Sequence, residues 1–291
     1  SILSLLYFEQ NNKNFNIYIY TDDTKFFHTH INHPNIIIIC LTESKIKEYK
    51  GIHNYIFRIK ISCILDLLQQ TKNKILYLDG DTFFTHPPSI LFNNISYNNT
   101  CMYIQEGILM DKKFYNWECI RLFIQSNSFM NLNRDSFQIQ LNHYMWNAGV
   151  IGVSYENINL VKEILFATDQ YCAKVKENKY HQDQLMFSYF FQTQTHLHTA
   201  KDYIHHYCYN YEKENFNIIL KSFFKENKHT KLQEAINNAY ALTLNPIPNT
   251  PIPPNALNHL IYLLKRIQTS ILLRIQKVLK TKKISTFFNK I

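Results

Sequence analysis

The sequence predicts an α/β protein with a mainly parallel central sheet flanked by helices. Short apolar runs that are typical of buried strands alternate with longer segments in which apolar residues recur at helical spacing. Two of the apolar runs end in carboxylates, one at Asp22 and the other at Asp79 and Asp81. Because ligands of such sheets bind at the carboxyl ends of strands, these acids are the first candidates for a functional site.

The predicted elements follow one another along the first 192 residues. A helix opens the chain, and a later helix places Ile61, Ile64, Leu65 and Leu68 on one face. The second strand is predicted to be fully buried, because it consists almost entirely of isoleucine. The strands are predicted over residues 14–23, 35–41, 74–81, 101–106 and 148–154, and the helices over residues 1–8, 61–70, 159–176 and 182–192.

Residues 1–245 form the predicted main domain, and the composition changes after them. Residues 246–255 hold five of the eight prolines and are predicted to be an extended linker. Residues 256–291 carry eight basic residues and no acid, opposite an apolar stripe at helical spacing. This pattern predicts a C-terminal amphipathic helix that binds an anionic membrane surface, with packing on the chain's own domain as the alternative. Nucleic acid is not an expected partner, because the apolar stripe has no interleaved aromatic residues.

Composition excludes several classes of site. The chain has only five glycines and contains neither G-x-G-x-x-G nor G-x-x-x-x-G-K-[ST], so a glycine-rich phosphate cradle is excluded. No apolar run approaches the roughly 18 residues of a membrane span. The six cysteines are scattered, which favours reduced thiols in a cytoplasmic protein.

The segment KILYLDGD places two carboxylates, Asp79 and Asp81, directly after an apolar run. Residues two apart in an extended segment point to the same side, so the two negative charges repel each other. A divalent ion such as Mn²⁺ or Mg²⁺ removes this conflict, since hard cations prefer oxygen ligands and also bind phosphate oxygens. Gly80 leaves room for a ligand to approach the backbone. The alternative is a solvated acidic turn.

A strand followed by D-x-D resembles the metal-binding signature of GT-A fold glycosyltransferases, and the resemblance covers most of residues 1–225. Five segments, one of which contains the D-x-D, are similar to family elements in the same order. The order and spacing resemble the family-8-like branch, which includes many bacterial enzymes of surface-polysaccharide assembly. The segments are SILSLL as the helix after the first strand, the basic residues and helix within residues 57–84, MWNAGVIGVS from Met145, HQDQLMFSYF from His181 and DYIHHYCYN from Asp202.

The resemblance implies a metal site and a donor site. Asp79, Asp81 and His206 correspond to the metal ligands, with His205 as the alternative histidine. The residues that correspond to donor contacts are Thr21, Asp22, Arg58, Lys60, Asp79, Gly80 and Asp81.

The resemblance also implies a reaction centre. Asn147, Ala148 and Gly149 correspond to residues that contact the sugar or the acceptor, and Gly149 is expected to leave space for the acceptor's approach. Asp183 and Gln184 would lie near the anomeric carbon. Asp183 is the candidate general base or sugar-orienting group, and a charge at a helix N-terminus is its structural alternative.

The chain departs from the family pattern at two places. The usual H-Y-W-G-N-K is replaced by His206-Tyr207-Cys208-Tyr209-Asn210-Tyr211, which lacks the glycine and the phosphate-binding lysine, and Lys213 is the candidate substitute. The strand that precedes the first helix in the family is also expected to be missing.

The expected function is the transfer of a hexose-type sugar from a nucleotide-sugar donor to a saccharide or lipid-linked acceptor, in surface polysaccharide or lipopolysaccharide synthesis. A UDP-sugar is the first candidate for the donor. The expected location is the cytoplasm, or peripherally the inner face of the membrane. Two alternatives are a non-catalytic homologue that binds a sugar or partner, and a phosphohydrolase of the haloacid dehalogenase type, which also places D-x-D after a strand.

Overall fold

Helices and strands alternate along the part of the chain that the structure, a computed structural model, describes: residues 1–10, 15–112, 117–175, 181–227 and 230–244. The predicted linker and C-terminal helix, residues 246–291, lie outside these ranges. The helices are α1 (Ile2–Phe8), α2 (Thr24–His30), α3 (Glu43–Lys50), α4 (Arg58–Thr71), α5 (Ser89–Asn94), α6 (Glu118–Ser126), α7 (Ile158–Lys174), α8 (Gln182–Gln194), α9 (Asn210–Glu226) and α10 (Leu232–Leu244). The strands are β1 (Ile17–Thr21), β2 (Ile36–Cys40), β3 (Ile75–Leu78), β4 (Thr82–Phe84), β5 (Asn99–Met102), β6 (Gln105–Ile108), β7 (Phe129–Met130), β8 (Ser136–Phe137), β9 (Tyr144–Trp146), β10 (Val150–Val153), β11 (His196–Thr199) and β12 (Ile204–His206).

None of the described helices is both long enough and apolar enough to cross a membrane.

The largest sheet among the described residues is mixed, with the strand order β11-β5-β10-β3. β10 runs antiparallel to both β3 and β5, and only β11 runs parallel to its neighbour β5. β1 and β2 form a separate parallel pair. The prediction of an α/β protein is therefore confirmed, whereas a mainly parallel central sheet is not, because β10 inserts in the opposite direction between two strands that precede it in the chain.

The first predicted strands and helices are largely confirmed, with two corrections. β2 is not fully buried, since the side chains of Ile37 and Cys40 are exposed. The strand predicted over residues 101–106 is two strands, β5 and β6. The chain turns from one to the other where the backbone N–H of Tyr103 donates to the carbonyl of Asn147 and the N–H of Asn147 donates to the carbonyl of Ile104.

The main core lies between the mixed sheet and the helices α4, α7 and α8. The predicted apolar face of α4 is confirmed: Ile61, Ile64 and Leu68 are buried, and Leu65 packs against the same core. Inward residues of β10, including Ile151 and Val153, complete this layer. The packing fixes α4 on the sheet, so that its first turn lies close to the end of β3.

Truncation of Leu68 will test whether α4 is a core helix. Leu68→Ala is expected to lower the free energy of unfolding by about 2–5 kcal/mol, because this fully buried side chain would leave a cavity. Leu122→Ala on α6 is the matched control, since Leu122 is 61% exposed and should cost at most about 0.5 kcal/mol. Urea denaturation measures both, and equal losses would contradict the placement of α4.

Candidate metal centre

Asp79, Asp81 and His206 converge in the structure. One carboxylate oxygen from each aspartate and one ring nitrogen of His206 lie within 4.8 Å of one another. β12 pairs antiparallel with β4 and sets His206 opposite Thr82, directly beside Asp81. The predicted convergence of the two carboxylates is therefore confirmed, and a histidine distant in the sequence joins them.

The route by which the two acids converge differs from the prediction. The segment from Asp79 to Thr82 is a turn rather than an extended strand, and the Thr82 hydroxyl donates a hydrogen bond of 2.8 Å to the Asp79 carbonyl. Asp79 follows β3, as expected, whereas Asp81 precedes β4 and does not end a strand. The turn, and not strand alternation, brings the carboxylates to one side.

Each carboxylate oxygen of the two aspartates has a partner. Asp79 Oδ1 accepts from the Tyr77 hydroxyl at 2.8 Å, and Asp79 Oδ2 lies 3.1 Å from Lys60 Nζ. Asp81 Oδ1 lies 3.1 Å from His206 Nε2, and Asp81 Oδ2 lies 2.7 Å from Lys213 Nζ. Burial alone would raise the pKa of Asp81, but the hydrogen bonds from His206 and Lys213 outweigh it and hold that pKa well below its usual range. The site therefore keeps Asp81 ionised.

Lys60 links the metal ligands to the neighbouring wall of the site. Its Nζ lies 2.9 Å from the carbonyl of Ala148 and 3.5 Å from Asp183 Oδ2, in addition to its contact with Asp79. Burial lowers the pKa of Lys60, but the charges of Asp183 and Asp79 more than reverse this effect. An ammonium group has three N–H donors, and all three have acceptors here.

Asp183 lies in the first turn of α8 and is 4% exposed. Its Oδ1 accepts a hydrogen bond of 2.7 Å from the Tyr55 hydroxyl, and its Oδ2 faces Lys60. Burial, followed by the charge of Asp183, raises the pKa of Tyr55, so that the phenol stays protonated. Because both oxygens already face donors, the arrangement favours a charge-balancing or sugar-orienting role for Asp183 over that of a general base.

A second network surrounds Asn147, and it contains a residue that the sequence analysis missed. Asn147 Nδ2 donates to Glu106 Oε1 at 2.9 Å, and Gln184 Nε2 donates to Glu106 Oε2 at 2.8 Å. The overlooked signal was local: Glu106 closely follows the apolar run from Cys101 to Ile104, and it lies in β6. Glu106 therefore joins the predicted sugar-side residues Asn147 and Gln184.

The two glycines of the site differ in the space around them. A methyl group on Gly149 would overlap the imidazole ring of His206, so this glycine makes room for a metal ligand and not, as predicted, for an approaching acceptor. A methyl group on Gly80 would meet nothing within 4 Å, and Gly80 does not have a positive φ. The space at Gly80 is therefore open to a ligand.

Arg58 is not brought to the metal ligands. Its guanidinium forms a two-pronged ion pair with Asp169 of α7, at 2.7 and 3.0 Å, and donates to the carbonyl of Tyr49 at 2.9 Å. These contacts fasten the start of α4 to α3 and α7. The geometry gives Arg58 a structural role, and its predicted donor contact stays a prediction.

Thr21, Asp22 and His205 are not bonded to the candidate metal ligands in the described part of the chain. Thr21 Oγ1 accepts from the backbone N–H of Asp23, and Asp22 is exposed. Within the described ranges, no hydrogen bond or ion pair joins Thr21 or Asp22 to the cluster. The His205 ring packs 5.1 Å from Phe83, since alternate residues of β12 face opposite ways, so the alternative histidine is wrong for the metal.

No protein-family model and no curated protein matches this sequence. The functional argument therefore depends on the residues of the site itself.

Substitution of the two glycines will test the packing of the metal centre. Gly149→Ala should lower the free energy of unfolding by about 1–3 kcal/mol, because the His206 ring must move. Gly80→Ala should change it by less than about 0.5 kcal/mol, because the added methyl group has space. Chemical denaturation compares the two, and equal effects would show that the His206 ring does not lie on Gly149.

A double-mutant cycle will test the role of Arg58. Arg58→Ala and Asp169→Ala should each destabilise the protein, with a coupling energy of about 0.5–3 kcal/mol, as expected for side chains in contact. Neither change should alter nucleotide-sugar affinity in folded protein. Weaker nucleotide-sugar binding in Arg58→Ala alone would instead support the donor contact.

Proposed function

We propose that this chain is a metal-dependent glycosyltransferase of the GT-A type. It moves a hexose-type sugar from a nucleotide-sugar donor to a saccharide or lipid-linked acceptor, and a UDP-sugar is the first candidate for the donor. The observation that carries this proposal is the cluster of Asp79, Asp81 and His206 at the end of β3. These are the three residues that the resemblance to GT-A enzymes assigns to the metal, and they are up to 127 positions apart in the chain.

The ligand set suits Mn²⁺ or Mg²⁺. Two carboxylates supply hard oxygen ligands, and the imidazole supplies a nitrogen that Mn²⁺ accepts more readily than Mg²⁺ does. The open space at Gly80 leaves room for diphosphate oxygens beside the carboxylates. When bound, the ion would supply positive charge that offsets the negative charge developing on the departing nucleoside diphosphate.

Lys213 is the side chain best placed to contact the donor diphosphate. Its ammonium lies 2.7 Å from Asp81 while the side chain is 44% exposed, so it can turn toward a phosphate without losing a buried position. The hydrogen bond with Asp81 raises the pKa of Lys213, which keeps it charged. It replaces the lysine that is missing from the late family motif. Lys60 has no such freedom and instead holds Asp79 and Asp183 together.

The sugar would lie against the wall formed by α8 and the turn before β10. Asp183 and Gln184 border this wall, and Lys60 links it to Asp79. Hydroxyl groups of a sugar can donate to carboxylate lone pairs that the protein's own donors do not use. Asp183 then orients the sugar next to the diphosphate.

The membrane part of the proposal concerns residues 256–291 alone. Their basic and apolar faces suit an anionic lipid surface, where a lipid-linked acceptor would be found. A peripheral location on the inner face of the membrane is part of the same proposal.

Donor turnover will test the metal-dependent reaction. The protein should release UDP from one of a panel of UDP-sugars when Mn²⁺ is present, and chelation should abolish the release. Asp81→Asn should lower kcat/KM at least about 100-fold, because it removes a negative ligand from the diphosphate-binding ion. Asp135→Asn is the matched control, since this exposed aspartate bonds with Asn131 away from the site.

The same assay separates the alternatives. Nucleotide-sugar binding with no turnover on any donor would favour the non-catalytic homologue. Hydrolysis of a simple phosphoester with a covalent phosphate on Asp79 would favour the haloacid dehalogenase type. Turnover that survives both chelation and Asp81→Asn would contradict the proposed metal site.

A further inference from the structure

The side-chain amide of Asn147 has one allowed orientation. The backbone N–H of Gly149 lies 2.9 Å from Asn147 Oδ1, and an N–H group can only donate. Glu106 Oε1 lies 2.9 Å from Asn147 Nδ2, and an ionised carboxylate can only accept. Rotating the amide by 180° would set donor against donor and acceptor against acceptor, in a side chain that is only 7% exposed.

This orientation decides which nitrogen of His206 carries a proton. His206 Nδ1 lies 2.8 Å from Asn147 Oδ1, which is an acceptor, so Nδ1 must be the N–H donor. The other nitrogen, Nε2, lies 3.1 Å from Asp81 Oδ1. In the metal-free protein Asp81 accepts the proton of Nε2, and a metal ion that displaces this proton finds the Nε2 lone pair directed at the carboxylates while Nδ1 keeps its own proton.

We propose that Asn147 is a positioning residue that sets the tautomer and the direction of His206, and that Glu106 fixes Asn147. The inference rests on the proposed metal-dependent function, because it explains how Nε2 becomes a ligand. A metal-binding histidine commonly donates its other N–H to a neighbouring acceptor, which fixes the ring and strengthens the ligand. Here the acceptor is an amide, and its direction is set by an acid on another strand.

Two further contacts hold this relay in place. Glu106 is anchored from α8, since its second carboxylate oxygen accepts from Gln184 Nε2 at 2.8 Å. The His206 ring lies against the backbone of Gly149, where even a methyl group would not fit. His206 is 5% exposed, so its ring has little freedom to turn away.

The proton on Nδ1 can be measured without metal. In protein labelled with ¹⁵N-histidine, the His206 signals are identified by their loss in His206→Gln, and the ¹⁵N shift of Nδ1 shows whether that nitrogen is protonated. Wild-type His206 should carry a proton on Nδ1, whether or not Nε2 also donates to Asp81. In Asn147→Ala this preference should disappear, and the dissociation constant for Mn²⁺ should rise about 10- to 100-fold.

An exchange of donor and acceptor tests the role of Glu106. Asn147→Asp alone places two carboxylates against each other and should weaken Mn²⁺ binding. The double variant Glu106→Gln with Asn147→Asp restores the bond with its polarity reversed, because the new amide donates to the new carboxylate and still accepts from Gln184. It should recover both the Nδ1–H tautomer and Mn²⁺ binding.

Asn157→Ala is the matched control for the loss of a buried asparagine. Asn157 is 5% exposed and donates to the carbonyls of Ser96 and Tyr97, so its loss should lower stability and leave His206 and Mn²⁺ binding unchanged. An unprotonated Nδ1 in the wild type, or unchanged Nδ1 protonation and Mn²⁺ affinity in Asn147→Ala, would overturn the inference. Wild-type protein with the Nδ1–H tautomer that binds no Mn²⁺ would contradict the proposed function while supporting the positioning.

Discussion

The repulsion between the Asp79 and Asp81 carboxylates is the constraint on which the site depends. The turn at Gly80 holds the two acids together, and without positive partners one of them would take up a proton. The fold supplies two positive partners, Lys60 from α4 and Lys213 from α9, and β12 adds the imidazole of His206 beside Asp81. Polar contacts with the two acids, as well as apolar packing elsewhere, therefore hold α4, α9 and β12 in position.

The two lysines balance the same pair of acids in different ways. Lys60 is 8% exposed and has acceptors for all three of its donors, so it is a fixed part of the wall. Lys213 is 44% exposed and contacts only Asp81 by ion pair among the described residues. The buried Lys60 pairs with Asp79 and Asp183, and the exposed Lys213 pairs with Asp81. In the proposed reaction, the exposed cation is the one available to a phosphate.

The network around Glu106 explains how distant segments act together. One carboxylate accepts from Asn147 and from Gln184, so it joins the turn before β10 to the start of α8. Asn147 in turn contacts His206. The proposed metal side and the proposed sugar side of the site thus share one acid, which lies on neither the D-x-D turn nor the late histidine strand. A substitution of Glu106 would therefore remove the hydrogen bonds of both Asn147 and Gln184 to this carboxylate.

The sequence alone determined those features that lie within a short window. The apolar run before Asp79 predicts the strand β3, and the spacing of Ile61, Ile64 and Leu68 predicts the buried face of α4, because both depend only on local periodicity. Tertiary structure decided the rest. It brings His206 and not His205 to the two acids, pairs Arg58 with Asp169, and packs the His206 ring against Gly149. These outcomes depend on contacts between residues 59, 111 and 125 positions apart, which no local pattern encodes. The direction of β10 in the sheet was settled in the same way, since strand order depends on which distant strands bury each other's apolar faces.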